Sequence, residues 1–145
     1  MAQARPAAGF TLIELVVALA VVAITTLLAA SSYRSYLRRG HRIDAVHALL
    51  AAAVEQEKFH LANGRYGERL DAAPGDDPPG LAVSSRTPGG HYVLAVTTAS
   101  AVQFRVVATA TDAGGDPGCQ SLSIDETGRR AATDALGGDA TAKCW

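Results

Sequence analysis

The pattern of apolar and polar positions splits this chain into two unlike halves. From residue 10 to 30 it reads FTLIELVVALAVVAITTLLAA, with one charge, Glu14. As a helix rising about 1.5 Å per residue this block is about 31 Å long, enough to cross a bilayer's hydrocarbon layer. A helix that packs on a globular core is apolar along one stripe, and this one is apolar all round. On length and hydrophobicity alone the block reads as a single-pass anchor or a removable secretory signal, with Ala29, Ala30 and Ser31 able to mimic the cleavage site of the latter. From residue 31 the pattern becomes one-sided. Ile43, Val46, Leu50, Ala53, Val54 and Leu61 share a stripe, Arg42, Asp44, Glu55 and Lys58 mostly lie elsewhere, and Phe59 falls nearly opposite the stripe. No proline occurs between Pro6 and Pro74, so one helix is expected from about residue 11 to 62. Gly40 is its weak spot, and Asn63 followed by Gly64 supplies a stop.

Beyond residue 90 the period changes from helical to alternating. Residues 91–98 and 102–110 read as a hairpin turned at Ala99, Ser100 and Ala101. Val102, Phe104, Val106 and Ala108 would face inward, with Gln103, Arg105 and Thr109 outward. Residues 121–125 alternate as a third strand that ends in a turn at Glu126, Thr127 and Gly128. Residues 64–90, rich in Pro, Gly and Asp, form a connection long enough to be functional surface or partly mobile. Residues 131–143 read as a poorly ordered tail. The predicted class is α+β, a long N-terminal helix packed on a small antiparallel sheet.

Composition narrows function more than fold. Among 145 residues, 14 acidic side chains balance 13 Lys and Arg, leaving a formal charge of −1 that argues against a generic polyanion binder. The chain has no Gly-x-Ser-x-Gly elbow, phosphate loop, His-Glu-x-x-His or Cys-x-x-Cys, so no enzyme and no cofactor are expected. His41, His47, His60 and His91 show no ligand spacing with the cysteines, and the acidic loops lack EF-hand spacing. No metal site is expected.

Glu14 is the exception that carries chemistry. An ionisable residue inside an apolar helix costs about 2.5–3.5 kcal/mol on insertion scales and marks function by default. Gly9, Phe10, Thr11, Leu12, Ile13 and Glu14, at the junction of a short polar leader and the apolar block, resemble the class III signal of type IV prepilins. The resemblance implies that a prepilin peptidase cuts after Gly9, removes residues 1–9 and methylates the new amino group of Phe10. Glu14 would then pair with the terminal amine of Phe10 in a neighbouring subunit. Two unit charges about 4 Å apart gain about 4 kcal/mol at an effective dielectric near 20, similar to the insertion cost. The places where pilins often carry Gly and Pro hold Ala23 and Ser31, while Thr25 and Thr26 can bond back to the preceding turn. Arg34, Arg38, Arg39 and Arg42 after the helix, against Arg5 before it, would by count alone leave the head cytoplasmic. The cysteines argue for the opposite side.

Cys119 and Cys144 are the only cysteines, and two in an exported domain suggest one disulfide. Such a bridge resembles the disulfide-bounded D-region of type IV pilins. Gln56 to Phe59 with Asn63 to Tyr66, Cys119 to Asp125 with Gly128, and the final Cys144 and Trp145 are similar to the PilE family, many of whose members are minor pilins. The resemblance implies the type IV pilin fold. Residues 10–30 form its membrane and filament-core half, and 31–145 form a periplasmic, later surface-exposed head. That head comprises helix 31–62, connection 64–90, and the sheet with its disulfide region over 91–145.

The leading expectation is thus a structural, minor subunit of a type IV pilus. It is held in the inner membrane of a Gram-negative bacterium by a single pass, then assembled into the filament through the pilus assembly platform. Such filaments serve twitching motility, adhesion and DNA uptake. A second reading is a DNA-binding minor pilin, with Arg129, Arg130 and Lys143 contacting phosphates. A third is a type II secretion pseudopilin, which shares the same signal.

Overall fold

Helix α1 runs Leu12–Asn63 without interruption, straight through Gly40. The structure is a computed structural model that describes residues 9–111 and 115–145, with the side chains of residues 28–32 outside the description. The chain divides after Leu37 into two units.

In the first unit every described side chain from residue 9 to 27 is exposed, with Leu12 at 81%, Leu19 at 64% and Leu27 at 75%. The hydroxyl of Thr25 donates to the carbonyls of Val21 and Val22 at 2.9 and 3.0 Å, and that of Thr26 to Val22 at 2.6 Å. These back-bonds to the preceding turn hide two polar groups within an apolar surface. Among the described residues no helix is long and apolar enough to cross a membrane, and the last three residues of the expected span lie outside the described side chains.

The second unit holds the rest of α1 and a four-stranded antiparallel sheet of order β1-β2-β3-β4. Its strands are β1 (Tyr92–Ala99), β2 (Phe104–Ala110), β3 (Ser121–Asp125) and β4 (Arg130–Thr133), followed by a final turn, α2 (Thr141–Cys144). Tyr92 pairs with Ala110, Val106 with Ile124, and Leu122 with Ala132, which sets the inward-facing side chains in register. Ala45, Leu49, Ala52 and Phe59 of the helix close over Tyr92, Leu94, Phe104, Val106, Leu122 and Ile124.

Three expectations are corrected here, and one left with two alternatives is narrowed. The buried helix face runs through Ala45, Leu49, Ala52, Gln56 and Phe59, one residue round from the expected stripe. Small alanines let the helix approach the sheet, and spacings of three and four keep that face continuous. Ile43 and Val54 are 54% exposed and Leu61 is 86% exposed. Val102 is 78% exposed because β2 begins only at Phe104, leaving Val102 in the hairpin turn.

The connection over 64–90 is ordered and buries Tyr66, Leu70, Ala72 and Leu81. Its backbone is tied by Tyr66 N–H to the Ser100 carbonyl at 2.9 Å, Leu81 to Arg69 at 2.9 Å and Val83 to Leu70 at 2.6 Å. Gly80 is needed there, since a Cβ would overlap the Ala72 backbone. The expected tail is structured too. β4 pairs with β3, and Ala140 N–H donates to the Ala132 carbonyl at 2.9 Å. Strand β4 reads RAAT, too short and too small-sided to show an alternating signal.

Candidate functional site

At the amino end, Gly9 and Phe10 precede the helix and Phe10 is 80% exposed. The Glu14 N–H donates to Thr11 Oγ1 at 3.4 Å, and Leu15 N–H to the Thr11 carbonyl at 3.2 Å. Thr11 therefore caps α1, and Glu14 occupies its first turn, where the helix dipole favours a negative charge. Thr11 and Glu14 have the spacing of a capping box, a signal the sequence carried and the motif reading passed over. Glu14 has a structural reason to sit there besides any partner. The leader residues 1–8 lie outside the described residues.

The second region surrounds the disulfide between Cys119 and Cys144, whose Cα atoms are 5.8 Å apart across a separation of 25 residues. Both cysteines are buried, and three elements converge on them. From α1, Arg42 donates to Asp116 Oδ2 through Nε at 2.9 Å and Nη2 at 2.6 Å, and through Nη1 to the Lys143 carbonyl at 3.0 Å. Asp116 is only 7% exposed. From β1, the Tyr92 hydroxyl donates to the Cys119 carbonyl at 3.0 Å. Burial first, and then the Asp116 charge, push the Tyr92 phenol up to about 12, against a smaller opposing pull from Arg42. At the C-terminus, the Trp145 indole N–H donates to the Ala131 carbonyl at 3.0 Å, and the Arg130 guanidinium lies 5.2 Å over the ring.

The three cations proposed for phosphate contact are thus in different situations. Arg130 is engaged by Trp145. Lys143 is exposed, and its ammonium stands against Gly118, where a Cβ would collide with it. Arg129 follows a rigid turn in which Asp125 Oδ1 accepts the Thr127 hydroxyl at 2.6 Å, the Thr127 N–H at 3.1 Å and the Arg129 N–H at 3.0 Å. The Thr127 hydroxyl foremost, helped by those N–H groups and Arg105, holds the Asp125 carboxyl below its usual range despite partial burial. Arg129 and Arg130 are brought together as chain neighbours. The Lys143 carbonyl is held by Arg42, on a different element from either arginine.

An open hollow of about 500 Å³ beside the bridge is lined by Pro117, Gly118, Asp134, Leu136, Asp139 and Lys143. Its carboxylates are already occupied. Asp134 Oδ1 accepts the Leu136 and Gly138 N–H groups, and Asp139 Oδ1 accepts the N–H and hydroxyl of Thr141. No group of potential metal ligands occurs among the described residues. Elsewhere, the buried Gln56 amide exchanges two 2.8 Å bonds with the Gly67 backbone, and the His41 and His91 rings stack at 3.5 Å. Arg42, Asp116 and Gln56 were not foreseen. No local spacing links Arg42 to a partner 74 residues away.

Comparisons with known proteins meet both regions. Residues 31–123 match the sequence model of the family described as "Type IV minor pilin ComP, DNA uptake sequence receptor". Residues 4–30 match the prokaryotic N-terminal methylation motif. The chain is 30% identical over 94 residues to the type IV major pilin protein PilE1 of Neisseria gonorrhoeae, an alignment covering 65% of this chain and 41% of that protein. The chain thus spans well under half the length of that relative. Its fold is similar to the minor pilin PilV of Neisseria meningitidis, at 16% identity and a TM-score of 0.50, over 69% of this chain and 90% of that one. A type IV pilin from Shewanella oneidensis is also similar, at 24% identity and a TM-score of 0.48, over 74% and 97%.

Proposed function

The chain belongs to the family of the type IV minor pilin ComP, DNA uptake sequence receptor, and from that premise we propose that it works as a subunit made as a prepilin. In this reading a prepilin peptidase cuts between Gly9 and Phe10 and methylates the Phe10 amine. Residues 10–30 then hold the subunit in the inner membrane with its head on the periplasmic side. The assembly platform draws it into a filament, where Glu14 pairs with the Phe10 amine of a neighbour. The observation that carries this reading is the first half of α1. Its apolar side chains are exposed all round and its one charge sits in the first turn, a surface that suits lipid or other helices and not water. N-terminal sequencing of protein recovered from sheared surface filaments tests it. A start at methylated Phe10 is expected, and a start at Met1, or absence from the fibre, overturns it. The role is that of a structural subunit, with no catalysis proposed.

A second reading, that the head binds DNA, is favoured by the family match over residues 31–123. Arg129 is then the leading phosphate contact, since Arg130 already lies over Trp145. In a salt titration of DNA binding, Arg129→Ala is expected to lower the slope of log affinity against log salt by about one, with smaller changes for Arg130→Ala and Lys143→Ala. No affinity at low salt would remove this reading and leave the subunit role intact. The pilus membership of the family disfavours the type II secretion alternative.

A further inference from the structure

We propose that Arg42 is the positioning residue for the C-terminal disulfide, docking the last turn of the chain against the sheet before Cys119 and Cys144 are joined and keeping it docked if they are parted. One guanidinium reaches both sides of the bridge. Its Nε and Nη2 hold Asp116, three residues before Cys119, and its Nη1 holds the carbonyl of Lys143, the residue before Cys144. The pair is largely shielded, with side-chain exposures of 15% for Arg42 and 8% for Asp116. A charge-assisted fork of this kind is worth more than an ordinary surface pair.

Two further ties on the same segment also need no sulfur bond. The Trp145 indole N–H holds the Ala131 carbonyl, and Ala132 N–H donates to Thr141 Oγ1 at 3.0 Å. Asp116 in turn is fixed to its cysteine, since Cys119 N–H donates to the Asp116 carbonyl at 2.9 Å. With both flanks of the bridge gripped by Arg42, closing the 25-residue loop costs little chain entropy at the moment of oxidation. The thiols meet at high effective concentration. Closure is an ordinary exchange. One cysteine thiolate displaces a thiolate from a disulfide oxidant such as glutathione disulfide, and the second cysteine thiolate displaces the other half. The two cysteines are oxidised, and the oxidant leaves as two reduced thiols.

The test uses the full chain in detergent micelles, equilibrated with reduced and oxidised glutathione. Arg42→Lys and Asp116→Asn are each expected to lower the effective molarity of the cysteine pair about tenfold to a hundredfold. Val106→Ala, a core change at a side chain that makes no bond to Arg42 or Asp116, is expected to lower melting and leave that equilibrium unmoved. Trp145, the single tryptophan, supplies an independent readout. Its shielding from acrylamide should survive reduction in the wild type and be lost on reduction of Arg42→Lys. An unchanged thiol equilibrium in both clamp variants, or a Trp145 fully accessible in the reduced wild type, would overturn the proposal.

Discussion

Between Leu12 and Leu27 helix α1 exposes every side chain, whereas between Ala45 and Phe59 it buries a face down to 0% at Ala45, Leu49 and Ala52. The two stretches belong to one secondary-structure element and are similarly helical. They differ in where their burial comes from. The second finds its cover within the chain, in the sheet. The first has none, and each large aliphatic side chain left in water forgoes about 1.5–3 kcal/mol. A helix cannot be explained by its own chain when all its apolar surface faces outward. That surface suits an environment or other copies, and in the proposed function its single carboxylate would serve the same end.

The comparison predicts that lesions in the two stretches fail in different ways. The largest effects are all or none and fall on the first. Gly9→Leu should leave a precursor about nine residues longer, visible on a gel. Glu14→Ala should still insert into the membrane, yet be lost from sheared filaments by at least about a hundredfold, which is what an ion pair of about 3–4 kcal/mol would supply. Neither should change the melting of the head, and a drop there would mean the two stretches are not separable. Next comes Phe59→Ala, expected to lower head stability by about 3–5 kcal/mol while leaving leader cleavage unaffected. Then comes Cys119→Ser, for which the chain-entropy model gives roughly 3.5 kcal/mol. A loss near that full figure is expected, because Arg42 and Trp145 keep the segment docked in the folded state, so the released entropy goes to the unfolded chain alone.

The same contrast explains which parts could be read from the sequence. The first stretch is written in local terms, a run of apolar residues with one charge at a fixed offset from a glycine, and nothing distant alters it. β3 was equally clear, because Leu122 and Ile124 alternate with Ser121, Ser123 and Asp125. The head's helix face was misplaced because Ile43, Val46, Leu50 and Val54 outweigh Ala45 and Ala52 in hydrophobicity. Only the sheet decides that a small side chain is the better fit to a close approach. β4 and the Arg42 clamp depend on pairings across many residues, which no period encodes. The disulfide was legible from the cysteine count, and the clamp that brackets it was not.

A pH series sharpens the head's side of the comparison. Tyr92 has an ordinary value of 10.0 and is pushed up to about 12 in the fold. Between those values the unfolded chain loses a proton that the folded chain keeps, so stability is whole below pH 10 and falls as pH rises toward 12. Asp125 works in the opposite sense. Its folded value is held below 3.8, so its contribution is present above that pH and lost as pH falls through the folded value. Chemical denaturation midpoints should therefore be level near neutrality and decline above pH 10. Tyr92→Phe should reduce the alkaline decline, leaving the part due to Tyr66, whose phenol is also pushed up by burial and by Glu57, while lowering the plateau by about 1 kcal/mol for the lost bond to Cys119. An alkaline slope unchanged in Tyr92→Phe would assign it to another group.

The smallest effect is the most discriminating about the head's own helix. Leu61 and Phe59 are two residues apart near the end of α1, and hydrophobic periodicity put Leu61 on the packed stripe and Phe59 off it. The structure reverses them, with Leu61 86% exposed and Phe59 7% exposed. Leu61→Ala removes no buried surface and creates no cavity, so its cost should stay within about 0.5 kcal/mol, with a slight gain in helix propensity. The melting of Leu61→Ala beside Phe59→Ala therefore measures which side of the helix faces the sheet. Equal losses from the two would mean that the helix is rotated from the face described, and that Gln56, which lies on that face with both amide atoms bonded to Gly67, would have to be repositioned with it.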